Sequence, residues 1–252
     1  MKKVLILALA GLAGAASAQV GCVFDNVTNQ FASGNGAFST SSTPNTFMGG
    51  GFNLLAGTTA ITGFDLYPVN VSGTNFDHLK INVWIWQTVN TSGTVNATTP
   101  AFSNLLGNYT LTSAGTFTTG FYFPIEGSPV GQASGVTLGV PLAISGTQIG
   151  MTFNYQGSTD GGLTYNSVNS LTSIISANNP NAVGTNVFGG YYRNANSETN
   201  GNFTSSLRSL GGLTNQSVAV RIYGENAAVP EPASMLAIGL GIAGLISKRR
   251  RK

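Results

Sequence analysis

Hydrophobic and polar residues alternate with a period of two along much of this chain. Ile149, Met151, Phe153 and Tyr155 fall on one side of an extended run, with Gly150, Thr152 and Asn154 on the other. Near the end of the body, Val218, Val220 and Ile222 oppose Arg221. Side chains on a strand point to alternate faces, so this pattern predicts strands with one dry and one wet face. Runs rich in β-branched and aromatic residues predict strands near 61–69, 79–89, 107–112, 117–124, 134–142, 148–156 and 217–224. The spacers 70–75, 91–93 and 157–162 are built from Gly, Ser, Thr, Asn and Asp, whose turn chemistry joins antiparallel strands. Residues 32–46 read as a loop. Only 166–177, where Leu171, Ile174 and Ile175 stand near helical spacing, suggests a helix, with a bulged strand as the alternative. No repeat of fixed period is present. The expected fold is all-β, an antiparallel β-sandwich or jelly roll.

Both ends break this pattern. Lys2 and Lys3, an apolar stretch from Val4 to Ala13, and the small residues Ala16, Ser17 and Ala18 form the three regions of a secretory signal peptide, with cleavage before Gln19. Acylation at Cys22 is the competing reading, and the polar Gln19 three residues before it argues for plain cleavage. At the other end Pro230 and Pro232 lack backbone donors and restrict the residues before them, so Val229 to Pro232 is an exposed, stiff handle. Ala233 to Ser247 carries no charge and is followed by Lys248, Arg249, Arg250, Arg251 and Lys252. At about 1.5 Å per residue this apolar run makes a helix of roughly 22 Å. That is short for a roughly 30 Å hydrocarbon core, although snorkelling cations extend it. The basic cluster stays in the cytoplasm by the positive-inside rule and places the body outside.

Handle, short helix and basic end, in that order, closely resemble the PEP-CTERM sorting signal of exopolysaccharide-producing bacteria. The resemblance covers residues 229–252 and implies recognition by an exosortase-type membrane protease at Pro230, Glu231 and Pro232. The helix would then hold the protein in the inner membrane transiently. An ordinary retained anchor is the competing reading. The expected organisation is a signal peptide over 1–18, a β ectodomain over 19–228 and the sorting tail over 229–252.

The formal charge of +3 comes from segments expected to be removed. Between Gln19 and Ala228 there are four basic side chains, Lys80, Arg193, Arg208 and Arg221. Against them stand seven acidic ones, Asp25, Asp65, Asp77, Glu126, Asp160, Glu198 and Glu225, for a net −3. No basic face for phosphates is available, which excludes nucleic acid as a partner. A surface of Asn, Ser, Thr and Gly suits a hydrated, polysaccharide-rich setting. Cys22 is the only cysteine, so no intramolecular disulfide and no thiolate zinc cluster can form.

Candidate chemistry in the body is sparse. His78 is the only histidine and follows Asp77, but neighbours on a strand point to opposite faces, so Asp77 is not expected to orient the ring. Asp160, in Thr159-Asp160-Gly161-Gly162, could contribute to a Ca²⁺ site, but without a second nearby carboxylate it reads as a turn residue. No catalytic residue, cofactor or metal site is expected. Trp84 and Trp86 share one strand face with Asn82 and Thr88, while Ile81, Val83, Ile85 and Val89 share the other with Gln87. If the aliphatic face is core, the indoles form a platform on which sugar rings could stack; otherwise the strand is buried on both faces. Seven Asn-x-Ser/Thr sequons begin at Asn26, Asn70, Asn90, Asn96, Asn108, Asn202 and Asn215. The sequence therefore points to an exported, non-enzymatic envelope or matrix protein, structural or adhesive. A carbohydrate-binding module acting on exopolysaccharide and a secreted hydrolase are the alternatives.

Overall fold

The structure is a computed structural model and describes residues 19–31, 47–91, 100–128, 130–167, 171–176, 180–194, 207–209 and 215–226. Val20–Glu225 form one compact unit, which holds the sheets. The expected signal peptide, the expected loop over 32–46 and the sorting tail lie outside the described residues. Among those described, no helix is long and apolar enough to cross a membrane.

Fifteen strands are described, numbered here in chain order. A four-stranded sheet runs β1 (Gln19–Asp25), β15 (Val220–Asn226), β3 (Thr58–Leu66), β8 (Val136–Ala143). An eight-stranded sheet runs β14 (Leu207–Ser209), β13 (Gly190–Asn194), β2 (Phe47–Asn53), β9 (Gln148–Ser158), β5 (Phe76–Val89), β6 (Phe102–Phe117). Two short strands extend it, β10 (Asn166–Ser167) on β9 and β12 (Thr185–Asn186) on β2. A small third sheet runs β11 (Leu171–Ser173), β4 (Pro68–Asn70), β7 (Phe121–Tyr122). The long ladders β2–β9, β9–β5, β5–β6 and β3–β8 are all antiparallel.

One apolar cluster joins the two larger sheets. Ile81, Val83 and Ile85 of β5 and Ile149, Met151, Phe153 and Tyr155 of β9 meet Val23, Ile61, Phe64, Val220 and Ile222 of the four-stranded sheet. The alternation along β9 and β15 is therefore real, but the assignment of a wet face to each is not. On β9, Thr152 and Asn154 are buried as well, because a second aromatic layer covers that side. The described residues of 166–177 form β10 and β11, with no helix among them. Leu171 and Ile175 enter the main core, while Ile174 faces a small cluster with Val27, Tyr67, Val69 and Ala219.

The aromatic layer needs glycines beneath it. Residues Gly49, Gly51 and Gly150 face the same side of the eight-stranded sheet, and a Cβ at Gly150 would lie 2.3 Å from the Phe102 ring. At Gly51 it would lie 2.9 Å from Val89. Their missing side chains form a trough into which Phe102 and Val89 lie flat. Glycine lowers strand propensity, so 47–53, Phe-Met-Gly-Gly-Gly-Phe-Asn, gives little strand signal although β2 is a paired, buried strand. Gly150→Val is expected to force Phe102 out of this trough and cost about 1–3 kcal/mol. A lower urea midpoint with an unchanged slope would show it, and an unchanged midpoint would mean that the trough has slack.

Candidate functional site

The tryptophan strand is the first place to look for binding. Trp84 and Trp86 lie on the face opposite Ile81, Val83 and Ile85, as the alternation requires, but they are only 8% and 6% exposed. Phe47, Val89, Ala101, Phe102 and Tyr192 enclose them, with Phe188 at the margin. Phe102 stacks on Trp86 with ring centres 6.3 Å apart, and Tyr192 meets Phe102 edge-on at 5.3 Å. The Trp86 indole N–H donates to Thr152 Oγ1 at 3.1 Å. Asn82 donates to Asn154 Oδ1 and accepts from the Thr110 hydroxyl, and Thr88 accepts from Asn104. These side chains bond to their sheet neighbours, and the exposed-platform reading gives way to a strand buried on both faces. Val89, expected with the aliphatic residues, packs instead with the indoles.

A buried charged cluster lies on the outer side of the four-stranded sheet. Arg221 of β15 is 3% exposed, although its place in the alternation predicts a wet face. Its Nε donates to Asp25 Oδ2 at 3.1 Å, and its NH1 donates to Glu126 Oε1 and to Tyr67 Oη, each at 2.6 Å. Asp65 Oδ2 is 3.6 Å from NH1 and accepts from the Tyr223 hydroxyl at 2.9 Å. Asp25 also accepts from the backbone N–H groups of Val27 and Thr28 and from the Thr28 hydroxyl. Three carboxylates thus converge on one guanidinium, whose fixed fork of donors suits them. Burial pushes the Asp65 carboxyl above its ordinary value of 3.8, despite the opposing Gly135 N–H, Tyr223 hydroxyl and Arg221 charge. The folded chain binds that proton more tightly, so the contribution of Asp65 to stability is full below its unfolded value and is lost as pH rises through the raised one.

His78 and Asp77 depart from expectation. The His78 ring does meet its neighbour, with Nδ1 2.9 Å from Asp77 Oδ1, because a register shift between Phe76 and His78 breaks the strict alternation. Asp77 Oδ2 also accepts from the Gly161 N–H, and the His78 contact holds its carboxyl below the usual range. Ser158, opposite His78 on β9, directs its hydroxyl to Asp160. Asp160 accepts from Ser158, the Thr164 N–H and the Thr164 hydroxyl, which hold its carboxyl well below the ordinary range. It closes a turn in which Gly161 and Gly162 take positive φ. No group of three His, Cys, Asp or Glu able to hold a metal is present among the described residues.

Two sequons cannot carry a glycan in this fold. The Asn26 amide bridges Val218 O and Val220 N, and the Asn70 amide donates to Thr74 O and Phe117 O, both side chains being buried. Asn108 stands exposed on β6, whereas Asn96 and Asn202 lie outside the described residues. Burial pushes the Cys22 thiol up to about 12, with Asp25 adding to the effect. Gln19 opens β1, while Ala16, Ala18, Pro230, Glu231 and Pro232 lie outside the described residues.

Residues 228–252 match the PEP-CTERM protein-sorting motif. No curated protein and no solved structure matches the chain. The tail therefore carries a PEP-CTERM sorting motif, the mark of an exported protein that transits the membrane and is processed by exosortase-type machinery.

Arg221→Met should cost about 3–5 kcal/mol at neutral pH, because it leaves carboxylates buried without their cation. The Asp65 carboxyl, already raised by burial, would then rise further, so the deficit relative to the wild type should narrow as pH falls; urea unfolding at several pH values measures this, and a deficit that widens on acidification would contradict the account. Trp86→Ala should cost about 3–5 kcal/mol as a core truncation. A fully stable Trp86→Ala protein would mean that the indole is not part of a core.

Proposed function

We propose that this is a non-enzymatic structural or adhesive protein of the cell envelope or extracellular matrix, whose β-sandwich body is delivered by its tail. The sorting motif at 228–252 is the observation that carries this reading. Support comes from how the body uses its chemistry. Asp25, Asp65 and Glu126 hold Arg221, while Asp77 and Asp160 tie turns beside β5 and β9. Each is occupied with holding the fold together. The exposed side chains of β6 are polar or apolar without charge, as suits a hydrated matrix of neutral polysaccharide. The carbohydrate-binding alternative loses its located platform once Trp84 and Trp86 are buried, and the hydrolase alternative has no pair of free carboxylates to start from among these five.

The test uses the full chain in a producing cell from which the native copy has been removed. Wild-type protein should reach the envelope or matrix fraction in a shortened form and restore attachment or matrix cohesion. The Pro230→Ala/Glu231→Ala/Pro232→Ala protein should remain with the membrane at greater mass and fail to restore them. Correct delivery with no effect on attachment or cohesion would refute the structural role. Shortening of matrix polysaccharide by the purified chain would favour the hydrolase instead.

A further inference from the structure

The eight-stranded sheet ends on a strand of unusual character. β6 runs for 16 residues and, among the described residues, pairs with β5 alone. Edge strands present unpaired N–H and C=O groups and are ordinarily blunted by Lys, Pro, covering loops or bulges. β6 contains no charged residue and no proline. Its two register shifts lie near the ends, opposite Ile85/Trp86 and Phe76/His78, and leave Gly107–Ala114 as a regular run against β5. Asn108, Thr110, Thr112, Ser113 and Ala114 in this run are exposed. The free edge of the other large sheet, β8, is treated differently. It carries Pro141, and its register shift against β3 falls within the ladder, between Thr137 and Leu142, so no long regular run remains.

We infer that the Gly107–Ala114 segment of β6 pairs antiparallel with the same segment of a second copy of this chain, joining two eight-stranded sheets edge to edge. Three features select a second copy. The strand carries no charge, so two copies meet without repulsion. The two-fold register with Thr110 opposite Thr110 of the second copy sets Tyr109 against Leu111 on the inner face and Asn108 against Thr112 on the outer, so apolar meets apolar and polar meets polar. The inner face at this edge is also incompletely roofed. A cleft of about 360 Å³, lined by Leu79, Ile81, Leu111, Ile125 and Val136 among others, opens between β5, β6 and β8. A second copy would bring its own Tyr109 and Leu111 to this margin and continue the core across the junction. The inference is independent of the structural role proposed above, since the edge is the same wherever the chain is delivered.

The experiment uses the full chain in detergent, where sedimentation reports its mass. Wild type should be a dimer. Thr110→Lys, which places two ammonium groups directly opposite each other, should be monomeric with unchanged tryptophan emission. Thr116→Lys, equally exposed but outside the regular run, should remain a dimer. In a Cys22→Ala background, Thr110→Cys should form a disulfide-linked dimer on mild oxidation, because facing residues of an antiparallel pair lie about 4.5–5.5 Å apart at Cα, within disulfide range. Val140→Cys, at an exposed position of β8 in the same background, should not. A monomeric wild type, or a dimer that persists in Thr110→Lys, overturns the inference.

Discussion

The Arg221 cluster is the constraint on which the arrangement of the four-stranded sheet depends. One guanidinium on β15 is bound to Asp25 at the end of β1, lies beside Asp65 of β3, and reaches Glu126 after β7, so four parts of the chain far apart in sequence meet at one cation. A one-residue slip of β15 would turn Arg221 into the apolar core and bring Val220 or Ile222 against three carboxylates. Either error costs a large fraction of the stability of a domain, so the cluster holds the register of the closing strand. Its net contribution to stability is a separate matter, because desolvation of the ions offsets much of their attraction.

The opposite sheet is specified by shape rather than charge. Glycines at 49, 51 and 150 remove the side chains that would hold Phe102 and Val89 away, and the resulting aromatic layer buries the second face of β5 and β9. β5 thus has apolar neighbours on both faces, Ile81, Val83 and Ile85 inward and Trp84 and Trp86 outward. The domain contains two kinds of specificity, an ionic lock on the small sheet and an aromatic layer over a glycine floor on the large one. Both are packed within the domain, with Arg221 of the first and Trp84 and Trp86 of the second buried.

Much of the fold was legible from local pattern. The strands near 79–89, 134–142 and 148–156 correspond to β5, β8 and β9, since β-branched and aromatic alternation is a local property. The runs expected at 107–112 and 117–124 prove to be one long strand and a separate two-residue strand, because Phe102 to Phe117 follows β5 along its length, through two register shifts, despite its weak propensity. β2 was hidden by its glycines. His78 was misjudged because a bulge is a property of two strands together. A basic residue within the apolar alternation of 218–222 was the available signal for the charged cluster, in a chain whose body has only four cations.

By itself the sequence determined the sorting motif and the β class, because each depends on residue types read in order within a short window. The tertiary structure alone decided which faces are dry, which carboxylates are occupied and which strand is left at an edge. Those properties depend on what packs opposite a residue, and that partner is often more than a hundred positions away: Asp25 is 196 residues from Arg221 and Tyr67 is 154 from it. Alternation reports that a strand has two faces, but whether the second meets water or another layer is set by the chain that crosses over it.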